Sequence, residues 1–161
     1  MNQLQHIGSS YICERELYFL SLPDFPSMPD SISMPSRHFV AFLAADASGI
    51  GADMLADLSR KLLRAGCVYF CAWGTDCERV HDAFDFECLE VEPVIMTTWH
   101  SKESLDEALW FIIFNAYPDD GYFDTTRSAL AISIGNPAWD EQIRKRLSDI
   151  HALNRDVVEE K

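Results

Sequence analysis

The alternation of two kinds of segment constrains the fold of this chain most. From residue 37 onward, four short apolar runs alternate with four longer segments whose apolar residues recur at helical spacing. Wholly apolar runs of strand length are typical of strands covered on both faces, and intervening helices connect parallel strands. The sequence therefore predicts an α/β three-layer sandwich, with a mainly parallel sheet of about four βα units and right-handed crossovers. The predicted strands are 38–45, 67–74, 93–100 and 128–135, and the predicted helices are 50–66, 76–90, 104–118 and 136–155.

Local signals support the predicted starts and ends of these helices. Residues 75–78 and 104–107 each begin with Thr or Ser and end with Glu, which is the spacing of a capping box. Asn136 stands before a proline that suits the first turn of a helix, and Gly66 suits a helix end.

The first 36 residues follow a different pattern. The stretch "YICERELYFLSLP" contains strand-forming residues, whereas residues 23–36 hold four of the seven prolines. We predict an N-terminal arm, forming an edge strand or hairpin, and a Pro-rich connector over 1–36. A single flavodoxin- or Rossmann-like α/β domain follows over 37–161. An arm that carries Tyr11, Tyr18 and Phe19 also makes pairing across a homodimer possible.

Negative charge is concentrated in one part of the chain. The net charge is −13, and residues 76–124 contain thirteen Asp or Glu against only two basic residues, Arg79 and Lys102. Such a field repels phosphate, so we expect neither nucleic acid nor an anionic membrane as a partner. It attracts a basic protein surface. The alternative is that the acidic residues only keep the protein soluble.

Cysteine usage and the N-terminus indicate a cytoplasmic protein. The five cysteines show no C-x-x-C spacing, which is typical of reduced thiols. The segment "MNQLQHIGSS" lacks the basic and apolar regions of a secretory signal. Cys77 and His81 are four residues apart, but they complete no recognised ligand pattern, so we predict neither a metal nor another cofactor. Acidic neighbours of Cys77 favour an inert thiol over a nucleophile.

A ligand site in such a fold is expected beyond the carboxyl ends of the parallel strands. Polar residues follow each predicted strand there, and carboxylates among them suit acid–base chemistry. The "SGIG" segment lacks the third glycine and the lysine of a phosphate-binding loop, which favours an ordinary turn. An enzyme that processes a small nucleotide or sugar is therefore the alternative function. Its predicted site comprises Asp46, Ser48, His100 and Asn136.

The second predicted helix presents an acidic face. Three acids lie at positions i, i+4 and i+7, opposite an apolar stripe, and like charges four apart cost about 0.2–0.5 kcal/mol per pair. A basic partner reverses that cost. Two tryptophans at nearby strand ends suit interface anchors, unless they pack against helices instead. The predicted partner-binding residues are Trp73, Asp76, Glu78, Asp82, Asp85 and Trp99.

Two resemblances accompany these patterns. The segments "YFCAWGTDCERVHDAFD" and "PVIMTTWHSKESLDEALWFIIFNAYPDDGYFDT", with their C-A-W-G-x-D-C-E-R-V-H-D core, resemble an uncharacterised bacterial domain family that has no assigned activity. In size and charge, the chain is similar to bacterial immunity proteins that neutralise co-encoded toxins, many of them nucleases. We therefore expect a protein-binding module rather than an enzyme, namely an immunity-type inhibitor that docks on a basic toxin, for example a nuclease.

Overall fold

The structure, a computed structural model, describes residues 3–159. Over that range one six-stranded sheet is flanked by five α-helices. The strands are β1 (Gln5–Ser10), β2 (Arg15–Leu22), β3 (His38–Ala44), β4 (Cys67–Trp73), β5 (Met96–His100) and β6 (Thr126–Ile134). The helices are α1 (Ala52–Ala65), α2 (Cys77–Glu87), α3 (Leu105–Phe114), α4 (Pro137–Ser148) and α5 (Ile150–Glu159), with short 3-10 helices at Phe25–Ser27 and Asp120–Thr125.

The strand order is β1-β2-β6-β3-β4-β5, and every neighbouring pair is parallel except β1 and β2. Residues of α1 and α2 pack on one face of the sheet, and residues of α3, α4 and α5 pack on the other. β3 lies inside the sheet, and each of its residues after His38 is buried, which explains its unbroken apolar run. The predicted α/β three-layer architecture is confirmed.

The N-terminal segment contributes two strands to the same sheet. β1 is an edge strand that forms an antiparallel hairpin with β2, as predicted. β2 also pairs with β6 along most of its length, so the sheet includes residues on both sides of the boundary predicted at residue 36, which stays a prediction. Phe19 is fully buried and Tyr18 is half-buried, while Tyr11 is exposed. Phe19 therefore cannot pair across a dimer, although a homodimer itself remains a prediction.

Two local predictions were wrong. The helix predicted over 136–155 is two helices, because Asp149 adopts a non-helical backbone and its carboxylate accepts a hydrogen bond from the N–H of Ala152 at 3.1 Å. The capping box predicted at 75–78 does not form. Asp76 takes the position before α2 instead, with a φ of 62° and no side-chain cap, and the N–H of Cys77 bonds Gly74 O at 3.2 Å. The cap at Asn136 and the capping box at 104–107 are confirmed.

None of the helices described within residues 3–159 has the length and apolar character needed to cross a membrane.

Candidate functional site

A cavity of about 430 Å³ lies where the predicted ligand site was expected. The helices that follow β3 and β6 pack on opposite faces of the sheet, and a crevice opens between the carboxyl ends of these adjacent strands. Asp46 and Asn136 line this cavity from the two loops, together with Thr75 and Trp139. Two of the four residues of the predicted enzyme site are thus brought together.

The polar side chains at this cavity are engaged in local turns. The Asp46 carboxylate accepts hydrogen bonds from the hydroxyl of Ser48 at 2.6 Å and from its N–H at 2.9 Å. These bonds lower the pKa of Asp46, which makes it a weak base. The Asn136 side chain accepts from the N–H groups of Ala138 and Trp139 at the start of α4. The arrangement favours turn and helix capping over acid–base chemistry.

His100 is not among the residues that line this cavity. Its side chain is buried, its Nε2 lies 2.9 Å from the hydroxyl of Thr98, and its ring packs 4.8 Å from that of Phe111 in α3. Burial lowers the pKa of His100, against the opposing effect of Glu103, whose carboxylate is 3.6 Å away. His100 therefore serves the packing between β5 and α3.

Because the folded protein buries His100 in its neutral form, we expect the protein to lose stability in acid. The unfolded chain binds a proton near pH 6.5, whereas the folded chain does so only at lower pH, so the free energy of unfolding falls as pH drops below about 6.5. His100→Gln is expected to show a smaller loss than the wild type between pH 7 and pH 5 in urea titrations. Exposed His151→Gln serves as the control. Parallel pH profiles for wild type and His100→Gln would contradict this account.

The predicted partner-binding residues separate into two regions. Trp73 packs with the α3–α5 layer, because its indole N–H donates to Glu103 O at 2.9 Å and its ring meets that of Trp139 edge-on at 5.2 Å. Trp73 therefore packs against helices, which is the alternative to an interface anchor that the sequence left open. Asp76 and Glu78 are exposed at the start of α2, where the Asp76 carboxylate lies 3.7 Å from Arg79.

Trp99, Asp82 and Asp85 meet at the contact between α2 and β5. His81 Nδ1 lies 2.9 Å from Asp82 Oδ1, and its Nε2 lies 2.9 Å from the hydroxyl of Thr97. That hydroxyl also donates to Asp85 Oδ1 at 3.2 Å. The imidazole ring packs 4.6 Å from the ring of Trp99, which is 42% exposed. The partly buried His81 and Thr97 thus hold two carboxylates beside Trp99 on a common surface.

Four side chains form this network. The Asp82 carboxylate accepts a hydrogen bond from His81 Nδ1, and the Asp85 carboxylate accepts one from the Thr97 hydroxyl. The contact between His81 Nε2 and Thr97 Oγ1 joins the two pairs. Asp82 and Asp85 are thus held by a residue of α2 and a residue of β5 that contact each other.

Exposed apolar side chains, which the sequence patterns did not predict, adjoin these acids. Within residues 3–159, six of the eleven exposed large hydrophobic residues fall in the segment 86–99. Phe86 follows Asp82 by four residues, which places both on one side of α2, away from the buried Val80 and Phe84. On a helical wheel of "CERVHDAFDFE", Phe86 falls on the same side as Asp82, so the sequence itself contains the information that Phe86 is exposed. The six residues are Phe86, Leu89, Val91, Val94, Met96 and Trp99.

β5 ends the sheet on this side. It pairs with β4 alone among the described strands, so its outer backbone groups are available to another chain. The strand contains no lysine or proline, two residues that commonly protect an edge. We call Asp82, Asp85, Phe86, Leu89 and Trp99, together with the outer edge of β5, the α2–β5 surface.

The chain matches the model of a known protein family over most of its length. The family model for a domain of unknown function, DUF7684, matches residues 17–150. The chain belongs to the DUF7684 family. This agrees with the resemblance to an uncharacterised domain family, and no curated protein matches the chain. The α2–β5 surface and the cavity beside Asp46 both lie within the part that matches the DUF7684 model.

Metal-binding side chains are dispersed in this DUF7684 protein. Within residues 3–159, no group of three or more His, Cys, Asp or Glu side chains is placed to hold a metal ion. Cys77, the thiol considered as a nucleophile, is 2% exposed, and burial raises its pKa. That environment suits a structural cysteine.

Proposed function

We propose that this protein is a protein-binding module that receives a basic segment of a partner protein on the α2–β5 surface. The observation that carries the proposal is the juxtaposition of Asp82, Asp85 and exposed Trp99 beside an unpaired strand edge. An extended segment added to β5 supplies backbone hydrogen bonds, and its side chains meet the anchors on either side.

Charge selects the kind of partner. Residues 76–92 contain seven acids against a single arginine, Arg79, so the region is strongly negative. Arg79 is also occupied, because its guanidinium donates to Ile50 O at 2.7 Å and Ala47 O at 2.6 Å. Lysine or arginine on the partner pairs with Asp82 and Asp85, and the long-range field speeds the encounter.

Apolar side chains supply the binding energy that exposed ion pairs do not. Phe86 and Leu89 are 72% and 66% exposed, and Trp99 combines partial burial with an open face. Concentrated exposed apolar residues rimmed by charge are typical of protein interfaces, and tryptophan is prominent among residues that dominate binding energy. Exposed ion pairs contribute about 0–1 kcal/mol each, so we assign them specificity and association rate.

A second copy of this chain suits the surface less well than a basic partner. Pairing of two β5 strands about a twofold axis brings the acidic α2 helices of both copies to the same interface. Like charges facing each other across an interface oppose association. The charge therefore supports a different protein with the opposite sign.

The finer proposal is an immunity-type inhibitor that acts in the cytoplasm on a basic toxin, for example a nuclease. Carboxylates held in fixed orientations suit a cleft that binds a nucleic-acid backbone, because they carry the same charge as phosphate. The five free cysteines, four of them buried, support a reducing compartment.

The alternative, a small nucleotide- or sugar-processing enzyme, is supported by the cavity between Asp46 and Asn136. The hydrogen bonds that occupy both side chains weigh against it.

Substitutions on the α2–β5 surface test the protein-binding proposal. The partner is captured from host cells on the tagged protein, eluted with a salt gradient, purified and titrated against variants by calorimetry. Asp82→Lys combined with Phe86→Ser replaces two exposed residues, so the fold is preserved. We expect affinity to fall about 100-fold, equivalent to about 3 kcal/mol, with a weaker salt dependence.

The matched control makes the same kinds of change elsewhere. Glu141→Lys combined with Val158→Ser alters one exposed acid and one exposed hydrophobic residue on α4 and α5. Affinity for the partner should stay within twofold of the wild type. Equal losses in both double variants, or no loss in either, would rule out the α2–β5 surface as the binding site. Thermal unfolding of each variant confirms that the fold is intact.

A further inference from the structure

A second concentration of exposed apolar residues surrounds a pocket at the amino end of β2 and β6. In the described part of the chain, five exposed large hydrophobic residues lie outside 86–99, and four of them line this pocket, whose volume is about 260 Å³. The pocket lies between the β1–β2 turn, the segment that follows α3, and the start of β6. The four residues are Tyr11, Ile12, Tyr117 and Phe123.

Arg15, the first residue of β2, lines this pocket and is 5% exposed. Its Nε and Nη1 atoms are buried and have no hydrogen-bond acceptor among residues 3–159. The Tyr117 ring, 6.0 Å from the guanidinium carbon, offers only a weak cation–π contact. Burial lowers the pKa of Arg15, yet a guanidinium remains charged at neutral pH. A buried, unpaired cation is costly, and an anion that reaches it removes part of that cost.

Four other polar side chains of the pocket, those of Cys13, Glu14, Thr126 and Arg127, already have partners. Arg127 donates to the Glu14 carboxylate at 2.8 Å, and the Thr126 hydroxyl donates to Tyr122 O at 2.7 Å. The Cys13 thiol donates to a carbonyl oxygen in the last turn of α3 at 2.9 Å. Arg15 is therefore the charged group of this pocket that lacks a counter-ion within the described chain.

We propose that this pocket binds a small organic monocarboxylate, with its carboxylate on the Arg15 guanidinium and its apolar or aromatic body against Tyr117 and Phe123. Charge-assisted bonds between guanidinium and carboxylate are among the stronger hydrogen bonds in proteins. A phosphate dianion fits less well, because the pocket offers one unpaired cation and also contains the Glu14 carboxylate. The volume is at the small end for ligand pockets, which limits the ligand to a compact acid.

This site is independent of the protein-binding proposal. It uses β2 and β6 at the centre of the sheet, whereas the α2–β5 surface uses the strand at one edge. Failure of either proposal leaves the other unchanged.

Titration of the whole protein with matched probes tests the site. Phenylacetate and hexanoate are the carboxylate probes, phenylacetamide is the neutral isostere, and inorganic phosphate is the anion control. We expect saturable binding of at least one carboxylate by calorimetry or ¹⁵N chemical shifts, centred on residues 11–15 and 117–127. Binding of the amide and of phosphate should be at least tenfold weaker.

Two variants separate the role of Arg15 from a general effect of charge. Arg15→Met should weaken carboxylate binding at least tenfold, and its midpoint of thermal unfolding should equal or exceed that of the wild type. Arg64→Met removes an exposed arginine of α1 that lies outside the pocket, and this variant should bind the probe within about twofold of the wild type.

A peptide that ends in phenylalanine with a free carboxylate carries the same chemistry. Tighter binding of that peptide than of phenylacetate assigns the ligand to a polypeptide C-terminus, and weaker binding assigns it to a free acid. The proposal is overturned if neither carboxylate probe binds saturably, or if the amide binds as well as the acid. That comparison uses the wild type alone, so it holds even if Arg15→Met fails to fold.

Discussion

Alanine in place of Gly74 is expected to lower the free energy of unfolding by about 4 kcal/mol or more, a loss confined to severe backbone or core disruption. Gly74 has a φ of 115°, and an added Cβ would lie 2.1 Å from the carbonyl oxygen of Ala45. The residue stands between two hydrogen bonds, Ala45 N–H to Trp73 O at 3.1 Å and Ala47 N–H to Thr75 O at 3.0 Å. These bonds continue the pairing of β3 and β4 beyond the strands, so neither backbone can move away cheaply.

Gly49→Ala is the matched control, because Gly49 also has a positive φ, 75°, but an added Cβ would meet nothing within 4 Å. Its expected cost is about 1–2 kcal/mol, which is the conformational strain alone. Urea unfolding followed by circular dichroism measures both values. If the two variants lose the same free energy, the close approach between the loops after β3 and β4 is not a constraint on the fold.

Replacement of Arg146 by methionine is expected to cost about 2–3 kcal/mol. Arg146 bridges three helices: Nη2 and Nε donate to the two Asp106 oxygens of α3 at 2.8 and 3.1 Å, and Nη1 donates to Asp156 of α5 at 2.9 Å. Its side chain is only 14% exposed. Removal leaves Asp106 without an ion-pair partner in a partly desolvated site and leaves Asp156 with only Arg155, 3.6 Å away. That loss is more costly than the net contribution of the intact network. The partial exposure of Asp156 keeps the expected loss below that of a fully buried pair.

The pH dependence of this effect has a definite sign. Burial alone would raise the pKa of Asp106, but hydrogen bonds from Arg146 and Gln142 outweigh it and lower that pKa below its usual value. The stabilisation is therefore complete above about pH 4 and is lost as pH falls through the pKa of folded Asp106. The difference between wild type and Arg146→Met in urea should shrink correspondingly in acid. Exposed Lys145→Met, the adjacent control, should change stability by less than about 0.5 kcal/mol.

Sequence patterns predicted the layers of this fold because a parallel strand that is buried on both faces is apolar at consecutive positions, which is visible in the sequence. The run from Phe39 to Ala44 is wholly apolar because helices cover both sides of β3. No local sequence pattern indicates that β2 lies beside β6. Those strands are more than 100 residues apart along the chain, and their pairing is set by the whole sheet. The break at Asp149 was equally hidden, because acidic residues are common within exposed helices as well as at their ends.

The two candidate anchors show why a site was only partly predictable. Trp73 and Trp99 both occur at or near strand ends, in similar sequence surroundings. α4 brings Trp139 against Trp73, whereas the position of β5 at the edge of the sheet leaves Trp99 partly open. Strand order, which the sequence pattern does not specify, decides which tryptophan is accessible.

The sequence by itself determined the α/β layers, the helix caps at Ser104 and Asn136, and the sign of the surface charge, because each depends on residues close together in the chain. The tertiary structure decided which surfaces remain open. Arg15 stands in a pocket because the β1–β2 turn, the segment after α3 and the start of β6 converge around it. Asp82, Asp85 and Trp99 form one surface because α2 packs against an edge strand. Both arrangements depend on contacts between distant segments, which form only when the sheet is assembled.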